Sequence, residues 1–195
     1  KLPEFRYDLP TTIAGADGWS RRAFLSVGYF SERPSAELPL ANFQAATLSA
    51  DAWSAARIDG YYGFSRTMVA GDWLTFRPVA GVRTTGWSDG LNGQGAATKV
   101  IGQAGFDVEG LFTGSWSVDA PNWGINGLRH SARPLFQYRV MPGADREVGV
   151  VPMTQRAVSV SVLEELDLAD RLDAASTTDR QSMRFGIRNT LETRD

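Results

Sequence analysis

Apolar and polar side chains alternate along much of this chain with a period of two. From Val100 to Val118 every even position is apolar or small: Val100, Gly102, Ala104, Phe106, Val108, Gly110, Phe112, Gly114, Trp116 and Val118. The odd positions are mostly polar (Lys99, Gln103, Asp107, Glu109, Thr113, Ser115, Ser117), and Ile101, Gly105 and Leu111 break the rule. Successive side chains on a strand point to opposite faces, so the pattern predicts one strand with a greasy face and a wet face. Soluble strands usually run about 5–6 residues and a tilted membrane-spanning strand about 9–11. The run from Val100 to Val118 is longer than either, which suits a tall barrel projecting beyond a bilayer.

Other segments repeat the alternation. Leu128, His130, Ala132, Pro134, Phe136, Tyr138 and Val140 oppose Arg129, Ser131, Arg133, Leu135, Gln137 and Arg139. Leu74, Phe76, Pro78, Ala80 and Val82 oppose Thr75, Arg77, Arg83 and Thr85. Met183, Phe185, Ile187 and Leu191 oppose Arg184, Arg188, Thr190 and Glu192. Ala23, Leu25, Val27 and Tyr29 alternate with Arg22, Ser26 and Gly28, and Ile58, Gly60, Tyr62 and Phe64 form one more apolar row. Ala70-Gly71-Asp72 reads as a tight turn, and Asp89–Ala97 and Asp119–Gly127 as longer loops. Within the wide gap from Pro142 to Arg180, Val158–Leu172 has a mixed apolar and acidic pattern that predicts a short helix. The expected fold is all-β: an antiparallel up-and-down transmembrane β-barrel of seven or eight strands, in a single domain over residues 1–195.

Bulk properties agree. The chain is 43% hydrophobic with a mean hydropathy of −0.23, as expected when only every second strand position is apolar. No apolar run is long enough for a helical span. The formal charge of −2 gives no reason to expect nucleic acid as a partner, and the lack of cysteine excludes disulfides, zinc-thiolate sites and cysteine nucleophiles. The sequence opens Lys1-Leu2-Pro3-Glu4, without a basic segment followed by an apolar run, and it begins and ends in strand-like sequence at Leu2 and Arg194. An open strand edge in lipid costs several kcal/mol per unpaired amide. The expectation is therefore an incomplete segment of a larger barrel, unless eight strands close.

Three stretches carry a family resemblance. Gly127-Leu128-Arg129-His130-Ser131-Ala132-Arg133-Pro134-Leu135-Phe136-Gln137-Tyr138-Arg139-Val140-Met141-Pro142 resembles the strand "LRH-x-x-x-P-x-x-x-Y-x-x-x-P" of the LPS-assembly protein LptD family, also called organic solvent tolerance proteins. Asp170-Arg171-Leu172-Asp173, followed by Asp179 to Arg194 with Phe185-Gly186 at its centre, is similar to that family's loop-to-strand passage. Tyr61–Arg66 running to Gly71–Pro78 is a third, weaker likeness. The resemblance implies an internal part of the C-terminal β-barrel domain, located in the bacterial outer membrane. It implies insertion of lipopolysaccharide into the outer leaflet without enzymatic activity, and no cofactor is called for. The partners it implies are lipopolysaccharide, a periplasmic bridge protein that delivers it, an LptE-like plug lipoprotein and the outer-membrane lipids. Family-motif positions in this chain are His130, Pro134, Tyr138, Asp170, Arg171, Phe185 and Gly186. Two other readings remain open: a generic outer-membrane porin or adhesin barrel, and a soluble lipocalin-like binding barrel with its apolar face turned inward.

Parity assigns Arg77, Arg83, Lys99, Gln103, Asp107, Glu109, Arg129, Arg133, Gln137, Arg139, Arg184 and Arg188 to the wet face. Guanidinium pairs bidentately with phosphate and carboxylate, so these residues are candidates for a substrate path. The plainer alternative is that the arginines pair with acids and hold a wet lumen in shape. His130 is the only histidine; its neighbour Ser131 points to the other face, which argues for packing rather than catalysis. Six tryptophans (Trp19, Trp53, Trp73, Trp87, Trp116, Trp123) lie near predicted strand ends, where they could form interfacial girdles, although Trp73 and Trp87 share parity with Arg77. Pro78 and Pro134 fall inside strands, which requires a bulge or a local loss of pairing, and a gate would exploit the latter. Residues 90–95 lack the lysine of a phosphate loop and read as a plain loop.

Overall fold

The computed structural model describes residues 4–14, 18–32, 53–89, 95–143, 166–170 and 179–193. Nine strands form one antiparallel sheet: β1 (Glu4–Ala14), β2 (Trp19–Glu32), β3 (Trp53–Arg66), β4 (Met68–Ala70), β5 (Leu74–Trp87), β6 (Ala97–Gly110), β7 (Phe112–Ala120), β8 (Ile125–Met141) and β9 (Arg180–Thr193). With β4 counted as the continuation of β3 and β7 as that of β6, each strand pairs with the next in chain order, as in an up-and-down meander. Among the described residues β1 pairs only with β2 and β9 only with β8, so the sheet is open.

Two of the nine strands continue the one before. Ser65 faces Val79 and Met68 faces Phe76, so β3 and β4 share one register on β5 across Thr67. Val108 faces Phe136 and Phe112 faces Ala132, so β6 and β7 share one register on β8 across Leu111. The long strand expected from Val100 to Val118 therefore runs in two pieces, broken at Leu111. Both breaks have the same cause. Pro78 sits opposite Arg66 and Pro134 opposite Gly110, at the ends of the interrupted ladders. A proline has no N–H to donate. On their other sides Pro78 pairs with Phe106 and Pro134 with Ile187 without a register shift. Of the two expected remedies, the chain uses local loss of pairing and no bulge at these prolines.

The connections alternate in length. Residues 15–18, 71–73 and 121–124 join strands at one end, and residues 33–52, 88–96 and 142–179 join them at the other. The tight ends use glycines in left-handed conformation, Gly71 (φ 62°) and Gly124 (φ 63°). The second tight turn is Gly71–Trp73, close to the expected one. The expected loop over Asp119–Gly127 shrinks to a single turn around Pro121–Trp123, with its flanks in β7 and β8. The hairpins are staggered. Trp19 lies level with Arg66, Ala70 with Leu74, and Gly110 with Leu74, so each tight end reaches beyond the previous one. Barrels require such a slant.

Residues 166–170 are bend and turn, so the expected helix over Val158–Leu172 is absent where it is described; the rest of that span lies outside the described residues. No helix among the described residues is long and apolar enough to cross a membrane, which says nothing of a β-barrel.

Replacing Pro78 with valine gives the ladder a donor opposite Arg66. The expected outcome is a gain of about 1 kcal/mol in unfolding free energy. Slowed amide exchange at Thr67 and Met68 would accompany it, read by hydrogen exchange on the paired variants.

Candidate functional site

Register alone decides which side chains share a face. Val27 faces Ile58, Tyr62 faces Val82, Ala80 faces Ala104, Phe106 faces Tyr138, and Tyr138 faces Met183. All the apolar rows thus join on one side of the sheet. That side is bare: Leu25 is 51% exposed, Ile58 53%, Val100 42% and Phe185 73%. The opposite face holds the twelve wet-face residues named from the sequence, and there the burial lies. Arg83, Lys99, Gln103, Asp107 and Arg139 are buried, Gln137 and Arg184 are half-buried, and Arg77, Glu109, Arg129, Arg133 and Arg188 are exposed.

Two charge clusters organise the polar face. In the first, Asp59 of β3 accepts a two-armed contact from Arg83 of β5, Nε at 2.9 Å and Nη2 at 2.6 Å, plus a hydrogen bond from Thr85 at 3.1 Å. In the second, Asp107 of β6 receives Arg77 of β5 at 2.5 Å, Arg139 of β8 at 2.7 Å and the Gln137 amide at 3.2 Å. Arg139 also donates to the carbonyls of Phe106 and Tyr138 at 3.1 and 3.0 Å. Its cross-strand partner is Gly105, where a Cβ would overlap the Tyr138 carbonyl and crowd the Arg139 side chain. Glycine there makes room for the guanidinium to lie down on the sheet. Nearer β1, Arg6 and Arg83 flank the Phe24 ring at 4.1 and 5.2 Å, and Glu4 holds Arg57 at 2.9 Å and Ser26 at 2.8 Å.

A short strap crosses this face: Leu166, Asp167, Leu168, Ala169 and Asp170. Asp167 accepts from Arg139 at 2.9 Å and Gln103 at 3.0 Å. The Leu168 N–H donates to Gln103 at 2.5 Å, and its carbonyl accepts from Arg83 at 2.9 Å. Asp170 receives both arms of Arg22, at 2.9 and 2.5 Å. Leu168 is fully buried and joins Ala169, Phe24, Tyr61, Ile101 and Met141 in a small apolar cluster on the otherwise polar side. A cavity of about 150 Å³ opens beside the strap, with Ser20, Arg22, Tyr61, Arg77 and Asp167 on its walls.

Of the family-motif residues, His130 lies on the apolar face, stacked near Trp116 with centroids 6.4 Å apart and 3.3 Å from Asn189 Oδ1. Pro134, Tyr138 and Phe185 share that face; Gly186 lies on the polar side; Asp170 is in the strap; Arg171 lies outside the described residues. Ser131 faces away from His130, as strand parity requires. The girdle expectation needs correction at Trp87, which is 5% exposed on the polar face because its register places it with Arg83 and Thr85. Trp73, Trp116 and Trp123 are exposed, and Trp19 packs on Phe64 of the apolar face. The side chain of Trp53 lies outside the description.

Sequence parity missed Arg22, Asp59, Asp167 and Asp170 as members of one network. Asp59 was within reach, since it alternates with Ile58 and Gly60; the strap had no such signal. Among the described residues no group of three or more histidine, aspartate or glutamate side chains is placed to hold a metal ion. Comparison with protein-family models, with curated proteins and with solved structures yields no match.

Removing one partner of a buried ion pair strands the other charge, which costs about 3–5 kcal/mol. Asp59→Ala therefore lowers unfolding stability by roughly that amount, through loss of the two-armed carboxylate contact to buried Arg83. Asp8→Ala, which breaks an exposed pair with Arg6, leaves the denaturant midpoint unchanged.

Proposed function

We propose that this chain forms part of the wall of a bacterial outer-membrane β-barrel whose polar face lines a passage, and that the barrel inserts lipopolysaccharide into the outer leaflet. One observation carries the first half: the strands keep their charges on the covered side and leave leucine, valine and phenylalanine bare on the other. In water this arrangement forgoes about 25 cal/mol for every Å² of apolar surface left exposed. In hydrocarbon it is the stable one. Strand length agrees. Fourteen residues, as in β2, β3, β5 and β6, at ~3.3 Å each and ~40° tilt, reach about 35 Å along a membrane normal, beyond an apolar band of ~25 Å. Alternation of tight turns at one end with long connections at the other matches outer-membrane barrels, whose short turns face the periplasm.

The lipopolysaccharide half rests on the resemblance of Leu128–Pro142 and Asp170–Arg194 to the LptD family, together with the arginines of the polar face. Phosphates and carboxylates of the glycolipid suit guanidinium groups. On this reading the partners are lipopolysaccharide, a periplasmic bridge protein, an LptE-like lipoprotein and the surrounding lipids, and the protein is no enzyme. Further strands complete the wall beyond β1 and β9. The pairings within the two charge clusters favour a shape-holding role for Arg77, Arg83 and Arg139. Exposed Arg129, Arg133 and Arg188 are then the residues left to meet a passing anion. A generic porin or adhesin barrel shares the wall geometry and lacks the motif resemblance. A lipocalin-like barrel needs Val100 and Ile58 packed inside, whereas both are about half exposed.

Leu25→Lys places a charge on the apolar face of β2. In a membrane barrel it costs about 2–4 kcal/mol near the midplane, so the full-length protein fails to accumulate in the outer-membrane fraction. A soluble fold tolerates it within about 0.5 kcal/mol. Depletion of the protein in its native cell lowers surface lipopolysaccharide, read by labelling intact cells. Unchanged surface lipopolysaccharide would leave the generic barrel as the better reading.

A further inference from the structure

We propose that the strap Leu166–Asp170 is a displaceable internal occupant of an anion-binding row, released when a phosphorylated or carboxylated ligand takes its place on Arg22, Gln103 and Arg139. The inference rests on the reading of the polar face as the lining of a passage, and names how that lining is regulated.

The strap's anchors resemble what an anion would offer. Both its acids end on guanidinium groups, and Asp170 binds Arg22 with two parallel arms. A phosphate presents the same pair of oxygens to arginine. Among the described residues the strap's buried apolar side chains are Leu168 and Ala169, a small hold. The Arg22–Asp170 pair is open to solvent, its side chains 40% and 39% exposed, so it gives little net stability and exchanges readily.

Departure of the strap leaves both buried arginines among the described residues with an acid. Arg83 keeps Asp59, and Arg139 keeps Asp107. Those wall pairs close on themselves, so the strap can leave without the penalty that attaches to an orphaned buried charge. What its departure opens is Arg22, the Gln103 amide and one edge of Arg139. The cavity beside Asp167 gives an incoming anion a foothold between Arg22 and Arg77 before the strap has moved. Asp167 gives Arg139 a second carboxylate, beyond the one that Asp107 of the wall already provides.

The test uses the full-length protein in dodecyl maltoside micelles. Ala169→Cys introduces a thiol at a buried strap position in a chain that has no cysteine, and the rate of its reaction with a maleimide reports strap opening. Unsubstituted protein controls for thiols elsewhere. Dodecyl phosphate is expected to raise the rate about tenfold. Inorganic phosphate tells whether a free anion suffices or the lipid chain is needed; either result supports the proposal. Asp170→Asn raises the basal rate, and Arg22→Gln raises it as well while blunting the response to phosphate. A rate unmoved by both phosphates, or moved equally by dodecyltrimethylammonium, overturns the proposal. If the cysteine variant does not fold, amide exchange at Leu168, whose N–H is held by Gln103, reads the same opening in the unsubstituted protein. Heat-dependent gel mobility of the same sample tests the barrel reading separately, so failure of one is not mistaken for failure of the other.

Discussion

Charge pairing beneath a peptide strap, on strands whose other side is bare hydrocarbon, is the constraint on which the rest of the structure depends. The Asp59–Arg83 and Asp107–Arg139 contacts tie β3 to β5 and β6 to β8 on a single face. Because side chains alternate strictly, fixing those acids and bases on one side forces Leu25, Ile58, Val82, Val100 and Phe185 onto the other. A slip of one residue between any two strands would bury apolar rows against charges. Register is therefore specified by electrostatics on one face and by solvent preference on the other.

The alternation was legible in the sequence, and so were the strands it predicts. Parity alone puts all twelve wet-face residues on one side, and the register does the same. The three exceptions between Val100 and Val118 turn out to be informative. Ile101 is a buried wall residue in the strap's cluster, Gly105 makes room for Arg139, and Leu111 marks the break next to Gly110, which lies opposite Pro134. Ile101 departs from the pattern because the strap covers it, whereas Gly105 and Leu111 answer to Arg139 and Pro134 of the neighbouring β8; period-two reasoning along one strand sees neither.

Less was legible where no periodicity operates. The strap lies in the long connection before β9, and its Leu-Asp-Leu-Ala-Asp sequence fits a helix as well as it fits an extended peptide. Only the positions of Arg22, Gln103, Arg83 and Arg139 on four different strands create its docking site. Trp87 was ambiguous for a related reason. A tryptophan at a strand end suits an interface, yet register places this one among Arg83 and Thr85. The two stronger stretches of family resemblance fall on β8, the strap and β9, where the longest described strand and a proline break come together.

The account turns on which solvent meets each face. Single cysteines along β2, from Phe24 to Tyr29, labelled with a nitroxide in reconstituted vesicles, allow collision rates with oxygen and with a water-soluble nickel chelate to be compared residue by residue. High oxygen and low nickel accessibility are expected at positions 25, 27 and 29, with positions 24, 26 and 28 out of phase. Nickel accessibility at the odd positions equal to that of a solvated loop would contradict it.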